Sequence, residues 1–266
     1  MNKLSLILVS AALGASVALN GQIITQWDFN RDADSNLPDA NNPAPSIGNG
    51  TASALTVTGL AFFSGNANGG SSDPNTSAPT GAFGNNGWQL PAGWPDQGVG
   101  SGTAGARFDV STSGFSAASF DELVITFDLR LSNASSRWYQ LDYTVDGGNN
   151  WILGTPTRLG EAANAGDTWF NQNSLTLSNA AVFDNSDFGF RIVSVFSAEA
   201  FTEASSGTEF IANSAYEVAR NTTSTYGGGT WRFDMVTVTA IPEPRVYAAI
   251  AGLAMLGLAL WRRRRA

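Results

Sequence analysis

The 266-residue chain contains no cysteine and no histidine. Without cysteine there is no disulfide, no thiolate metal site and no thiol nucleophile. Without histidine there is no Ser-His-Asp triad, no imidazole general base and none of the common zinc sites. The chemistry left open is that of paired carboxylates or of calcium. Positive charge is scarce as well. Between Leu19 and Ile241 the basic residues are Arg31, Arg107, Arg130, Arg137, Arg158, Arg191, Arg220 and Arg232. Of the 22 acidic residues only Glu243 lies outside that stretch, so 21 carboxylates face eight arginines and the stretch carries −13, against −8 for the whole chain. No basic stripe is present to neutralise phosphates, which argues against nucleic acid as a partner. A surface of this sign favours solubility and divalent cations.

The two ends depart from this composition. Met1-Asn2-Lys3 is a short positive segment, Leu4–Leu13 is apolar, and Ser16-Val17-Ala18 supplies small residues where a signal peptidase reads. These features predict a signal peptide over 1–18. At the other end stand Pro242, Glu243 and Pro244, then Arg245, then 16 uncharged residues from Val246 to Trp261, then Arg262, Arg263, Arg264 and Arg265. As a helix the apolar run spans about 24 Å, a little short of a hydrocarbon core of about 30 Å. Flanking arginines can snorkel and Trp261 suits the headgroup boundary, so a transmembrane helix over 246–261 is expected. The arginine end should stay cytoplasmic by the positive-inside rule, which places everything before Pro242 outside.

The order Pro-Glu-Pro, short hydrophobic helix, arginine cluster resembles the bacterial PEP-CTERM sorting signal, over about a tenth of the chain. The resemblance implies that Pro242, Glu243 and Pro244 are read by an exosortase-type membrane enzyme, with Arg262 to Arg265 completing the signal. It also implies a Gram-negative host building exopolysaccharide or biofilm matrix, an inner-membrane precursor, and a mature ectodomain at the cell surface. The domains expected are therefore a signal peptide (1–18), an ectodomain (19–240) and a sorting signal (241–266).

About 220 residues remain for the ectodomain, enough for one large core. Dense Gly, Asn, Ser and Thr break it into short segments with no long amphipathic helix, which predicts an all-β fold. Glu122–Leu131 alternates most clearly, with Leu123, Ile125, Phe127, Leu129 and Leu131 on one face and Val124, Thr126, Asp128 and Arg130 on the other. Trp138–Val145 and Phe188–Val195 alternate likewise. Further strand candidates are Ile23–Phe29, Ala54–Phe63, Ala106–Val110, Ser174–Leu177 and Trp231–Thr239. Eight or so strands fit a two-sheet antiparallel β-sandwich. Asn30–Gly50 and Gly65–Gly102 read as long loops, and Ser197–Thr230 as an insertion with a helical turn near Asn213–Ala219. Trp27-Asp28-Phe29-Asn30 opens the domain and Trp231–Val238 closes it. With Gly189–Val193 they resemble jelly-roll, carbohydrate-binding-like ectodomains, which implies that the first and last strands lie side by side.

Several motifs carry candidate chemistry. Thr144-Val145-Asp146-Gly147-Gly148-Asn149-Asn150-Trp151 fits the Asp-box pattern of sialidases, and as a single copy it reads as a structural hairpin. If the terminal strands are adjacent, Asp28 and Asp234 are candidates to share a structural Ca²⁺ with loop carbonyls; capping or pairing with Arg232 or Arg191 is the plainer account. Trp88 and Trp94, in a Gly/Pro-rich segment with Gln89 and Asp96, form a candidate platform for sugar rings, or else anchors pinning a loop to the core. Asp128 and Asp142 would share an outward face if their strands pair, but Arg130 and Arg137 nearby favour an ion-pair ladder, and no catalytic residue stands out. The reading is a non-enzymatic surface or matrix protein with weak affinity for a neutral glycan or exopolysaccharide and no cofactor beyond that Ca²⁺. Rivals are a carboxylate-dependent glycan hydrolase or lyase and a purely structural surface domain.

Overall fold

A computed structural model describes residues 21–30, 37–74, 84–160, 167–198, 200, 215–220 and 225–243, together with 252, 260, 261, 263 and 264 in the C-terminal segment. The expected signal peptide, Pro244, Arg262, Arg265 and most of 246–261 lie outside the described residues. The five described residues of the C-terminal segment are helical and exposed. No helix among the described residues is long and apolar enough to cross a membrane.

Eleven strands appear among the described residues: β1 (Gln22–Trp27), β2 (Gly50–Leu55), β3 (Ala61–Ser64), β4 (Asn86–Leu90), β5 (Gly105–Val110), β6 (Phe120–Leu131), β7 (Trp138–Thr144), β8 (Thr157–Arg158), β9 (Thr168–Leu177), β10 (Gly189–Ser194) and β11 (Trp231–Pro242). They form two antiparallel sheets. The six-stranded sheet runs β3-β4-β11-β6-β9, with β1 also on β11; the five-stranded sheet runs β2-β5-β10-β7-β8. β11 is the spine of the larger sheet. β6 pairs with it along one edge, while β4 and β1 share the other, β4 against Trp231–Phe233 and β1 against Val236–Ala240. The first and last strands are therefore neighbours, as expected.

The sheets face each other across an aromatic core. Phe108 of β5 meets Trp27, Trp88 and Phe233 of the other sheet at centroid distances of 5.1, 6.2 and 6.2 Å, and Tyr139 of β7 meets Phe127 of β6 at 5.4 Å. The alternation read in β6 is fully realised, since Leu123, Ile125, Phe127, Leu129 and Leu131 all point inward and are buried. In β11 the inward set changes phase, from Trp231 and Phe233 to Val236, Val238 and Ala240. The cause is a bulge, marked by a register shift after Asp234 and by Met235 at φ 48°. An extra residue re-aims every later side chain. β9 carries a matching irregularity opposite Phe127/Leu129, with Gln172 at φ 57°.

Four local expectations are corrected. Ala54–Phe63 is not one strand: the chain bends through Thr56 at φ 58° and Gly59 at φ 71°, sending β2 and β3 to different sheets. The Gly65–Gly102 stretch is not all loop, because β4 lies within it. β9 begins at Thr168, six residues before the predicted start. Tyr216 to Ala219 form no helix; Val218 instead makes an isolated bridge with Ser136.

Candidate functional site

The tryptophan platform does not form. Trp88 is 0% exposed, on the inner face of β4, with Phe29 stacked at 5.8 Å and its indole N–H donated to the Ala40 carbonyl at 2.9 Å. Gln89 follows it on the opposite face of the strand and accepts from Arg232 Nη2. Trp94 is half-buried against Trp231, 4.9 Å between centroids, and donates to the Leu90 carbonyl at 3.2 Å. Asp96 is exposed beside Tyr226. A ring with no exposed face cannot stack a sugar, so Trp88 is a core anchor.

The Asp-box is a hairpin, as read. Thr144 Oγ1 accepts from the Gly148 amide at 2.9 Å, and Asp146 accepts from both the Asn150 amide (2.9 Å) and its side chain (2.7 Å). The Asn150 backbone bond, its side chain and Thr144 together hold the Asp146 carboxyl down at about 2. Gly147 and Gly148 supply positive φ at 73° and 93°. Trp151 lies against Arg191 and Arg107, whose guanidinium carbons stand 4.5 and 5.4 Å from its ring centre.

Asp128 and Asp142 do not pair, because β6 and β7 belong to different sheets and their outer faces look away from each other. Asp142 accepts from Arg191 Nε at 2.9 Å and from Gly154 N at 3.1 Å. The neighbouring arginines have other partners: Arg130 meets Asp167 at 2.7 Å and Arg137 meets Glu217 at 3.5 Å.

Three rows of polar side chains cross the outer face of the six-stranded sheet. The first holds Gln89, Arg232, Arg130 and Trp169, directly opposite one another in register. Burial, and then the neighbouring Arg130, pull Arg232 down to about 10. In the second row Asp234 of β11 stands directly opposite Asp128 of β6. Both are buried, at 0% and 1% exposure. Asp128 accepts from the amides of Ser72 and Gln172, and Asp234 Oδ1 from the Met235 amide at 2.8 Å. The Gln172 and Met235 donors are the two bulge residues. Burial pushes the Asp234 carboxyl well above the usual range, with nearby Asp73 and Asp128 adding to it and the Ser71 hydroxyl and Met235 amide opposing. The folded state therefore holds this proton more tightly than the unfolded one. Its stabilising contribution is present in acid and is lost as pH rises through the raised value.

The third row is uncharged. Gln26, Thr237, Thr126 and Ser174 are successive cross-strand partners over β1, β11, β6 and β9. They line an open groove of about 570 Å³, with Met235 and Gln172 toward the Asp128 end. At the strand spacing the row is about 14 Å long. Gln26 Nε2 donates to Thr237 Oγ1 at 3.0 Å. This row went unnoticed in the sequence, although Thr126 and Ser174 each lie in a strand that was read.

Asp28, the expected calcium partner of Asp234, caps its own turn by accepting from the Asn30 amide at 3.1 Å. Among the described residues no three acidic side chains converge as a ready-made metal cage. Pro242 ends β11 opposite Phe120, and Glu243 is buried with its amide donated to the Ser119 carbonyl at 3.0 Å. The sandwich thus extends two residues beyond the expected boundary at 240.

No protein-family model matches the chain, and no curated protein matches it in sequence. Among solved structures it is similar to the CBM22-1-GH10 modules of Clostridium thermocellum endo-1,4-beta-D-xylanase 10B, complexed with xylohexaose. The identity is 11% and the TM-score 0.33, over 84% of this chain and 28% of that one. At that TM-score the likeness says nothing about a ligand here.

Proposed function

We propose that the chain is an exported, non-enzymatic surface or matrix protein, a sandwich of jelly-roll type that binds a neutral glycan weakly. The observation that carries the binding is the row Gln26, Thr237, Thr126 and Ser174 along an open groove. Amide and hydroxyl groups both donate and accept, which matches sugar hydroxyls, and no charge in the row favours an ionic polymer. The −13 of the ectodomain repels uronate-rich chains. With no stacking ring in the groove, affinity falls in the micromolar to millimolar range, about −8 to −4 kcal/mol. The hydrolase or lyase alternative would need a reachable acid pair. Of the directly opposed acids at the end of the groove, Asp128 lines it at 1% exposure and Asp234 is 0% exposed, so the pair offers a substrate little carboxylate surface.

Titrating the full-length chain in mild detergent with neutral polysaccharides tests this. Thr126→Arg and Ser174→Arg should each abolish binding by filling the groove while leaving the melting temperature within a few degrees of wild type. Binding that survives both changes places the ligand elsewhere. Turnover that is lost on a single Asp→Asn or Glu→Gln substitution overturns the non-enzyme reading.

The address is proposed from the sequence alone. Pro242, Glu243 and Pro244, the apolar run and Arg262 to Arg265 direct processing at the inner membrane by an exosortase-type enzyme. Replacing Glu243 or the four arginines should leave full-length precursor in the inner membrane of the native host. Unchanged surface delivery of both variants removes the sorting reading.

A further inference from the structure

We infer, resting on the sorting reading above, that the folded sandwich shields its own sorting tripeptide. The end of β11 must part from Phe120 and Ser119 before Glu243 can be read.

The strand does not stop where the signal begins. β11 runs through Ala240 and Ile241 into Pro242, which stands opposite Phe120 of β6. Beyond it the Glu243 amide donates to the Ser119 carbonyl at 3.0 Å, and the residue is only 7% exposed. Two residues of the tripeptide are thus built into the larger sheet and the turn that precedes β6.

That turn is itself tied down. The Ser116 carbonyl accepts from the Ser119 and Phe120 amides at 2.9 and 3.0 Å, and the Ser116 hydroxyl from the Ala118 amide at 3.1 Å. Phe120 packs on Phe115, 5.4 Å between centroids, and the Phe115 amide donates to the Thr112 carbonyl at 3.0 Å. Thr112 is buried and donates its hydroxyl to the Val182 carbonyl at 2.7 Å. On the other flank of β11 lies β1, with Gln22 opposite Ala240. Gly21 is so close that a Cβ there would stand 2.7 Å from Ile241 Cδ1. Both flanks of the strand end are occupied.

An enzyme that reads a short segment needs its backbone and side chains within reach, and a segment paired inside its own fold offers neither. In the sequence only Glu243, Pro244 and Arg245 separate β11 from the apolar run at Val246, about 10 Å at full extension. No spacer carries the tripeptide clear of the sandwich. Reading therefore follows the population of an opened end, as proteolysis of folded proteins does. The opening is local. Pro242 has no N–H to give the ladder, and the register already slips between Ile241 and Pro242. The bond from Glu243 to Ser119 is the rung that closes the end. Pairing of β11 with β6 joins residues far apart in sequence, which forms slowly. The signal is open before that pairing and shielded after it.

The test follows conversion of precursor to processed chain by pulse–chase in the native host. Inserting Gly-Ser-Gly-Ser-Gly-Ser between Ile241 and Pro242 lifts the tripeptide off Phe120 and Ser119 and keeps its spacing from the apolar run and the arginines. Conversion should quicken about fivefold to tenfold. Glu122→Cys with Ile241→Cys places two thiols directly opposite in a chain that otherwise lacks cysteine. Once oxidised, the bridge should hold the strand end shut and stop conversion, and dithiothreitol should restore it. In the full-length chain in mild detergent, the Glu243 amide should exchange its hydrogen about tenfold more slowly than in the insertion variant. Glu243→Gln separates the two readings. If that change leaves processing unaltered, the sorting reading falls and the shield with it. If it stops processing while the insertion and the bridge leave the rate as in wild type, the sorting reading stands and the shield alone is overturned. Equal exchange of the Glu243 amide in both chains overturns the shield as well.

Discussion

Trp88→Ala is expected to lower the stability of the domain by about 3–5 kcal/mol, the range for truncating a large buried aromatic, and the melting temperature by about 10 °C or more. The indole is 0% exposed and touches the rings of Phe29, Phe108 and Phe233 from both sheets. Its loss opens a void that neighbours pinned in two sheets cannot collapse, and it strands the Ala40 carbonyl that the indole N–H now satisfies. Trp151→Ala is the comparison. That ring is half-buried under Arg191 and Arg107 at the hairpin, so its removal costs mainly cation–π contact, about 1 kcal/mol. Thermal and urea unfolding of both variants separates the two roles. A small effect at Trp88 together with loss of glycan binding would return that residue to the surface and restore the platform.

The residues around Trp88 show why β4 was hard to read. Asn86-Gly87-Trp88-Gln89-Leu90 has a glycine at its second position and a proline after it, the usual marks of a loop. Gly87 is present for packing rather than for turning. A Cβ there would stand 2.7 Å from Cγ and 2.8 Å from Cδ of Arg232, so the missing side chain lets the arginine stem lie across the strand. Arg232 is 145 residues away, and nothing local announces it. The opposite error arose at Ala54–Phe63, where apolar residues run on through a bend that positive φ at Thr56 and Gly59 makes. By contrast β6, β7 and β10 were legible because alternate residues of each line the core, and a period of two is a purely local signal.

Faces were therefore readable, but neighbours were not. Alternation put Asp128 outward on β6 and Asp142 outward on β7, where they would share a face only if those strands paired. The chain instead crosses from one sheet to the other, leaving Asp142 with Arg191 on the far side and Asp128 opposite Asp234. Pairing of β6 with β11 joins residues about a hundred positions apart, and only the packed core decides it. The same holds for Gln26, Thr237, Thr126 and Ser174, which are four unremarkable polar residues until the register sets them in one row. The Asp-box was read correctly because its chemistry closes within eight residues.

Gly105→Ala should be among the most damaging single-atom-group changes in the five-stranded sheet. Gly105 opens β5 at φ +154°, at the limit of the region that L residues avoid. A Cβ built on it falls 2.0 Å from the Ile192 carbonyl oxygen and 2.9 Å from the Val193 Cα. Both atoms are backbone of β10, which is held on its other side by β7 and cannot retreat without parting that ladder too. Conformational strain of about 1–3 kcal/mol and overpacking of about 1–3 kcal/mol add to a loss of about 2–6 kcal/mol. Gly102→Ala is the control, at φ 77° but with nothing within 4 Å of the new methyl, so only the strain applies. Urea midpoints of the two variants should differ accordingly, with Gly105→Ala far below Gly102→Ala. Equal midpoints would mean that Gly105 does not sit against Val193. A one-residue slip of β5 would then turn Phe108 out of the core and Arg107 into it, a rearrangement that the three ring contacts Phe108 makes with the facing sheet strongly oppose.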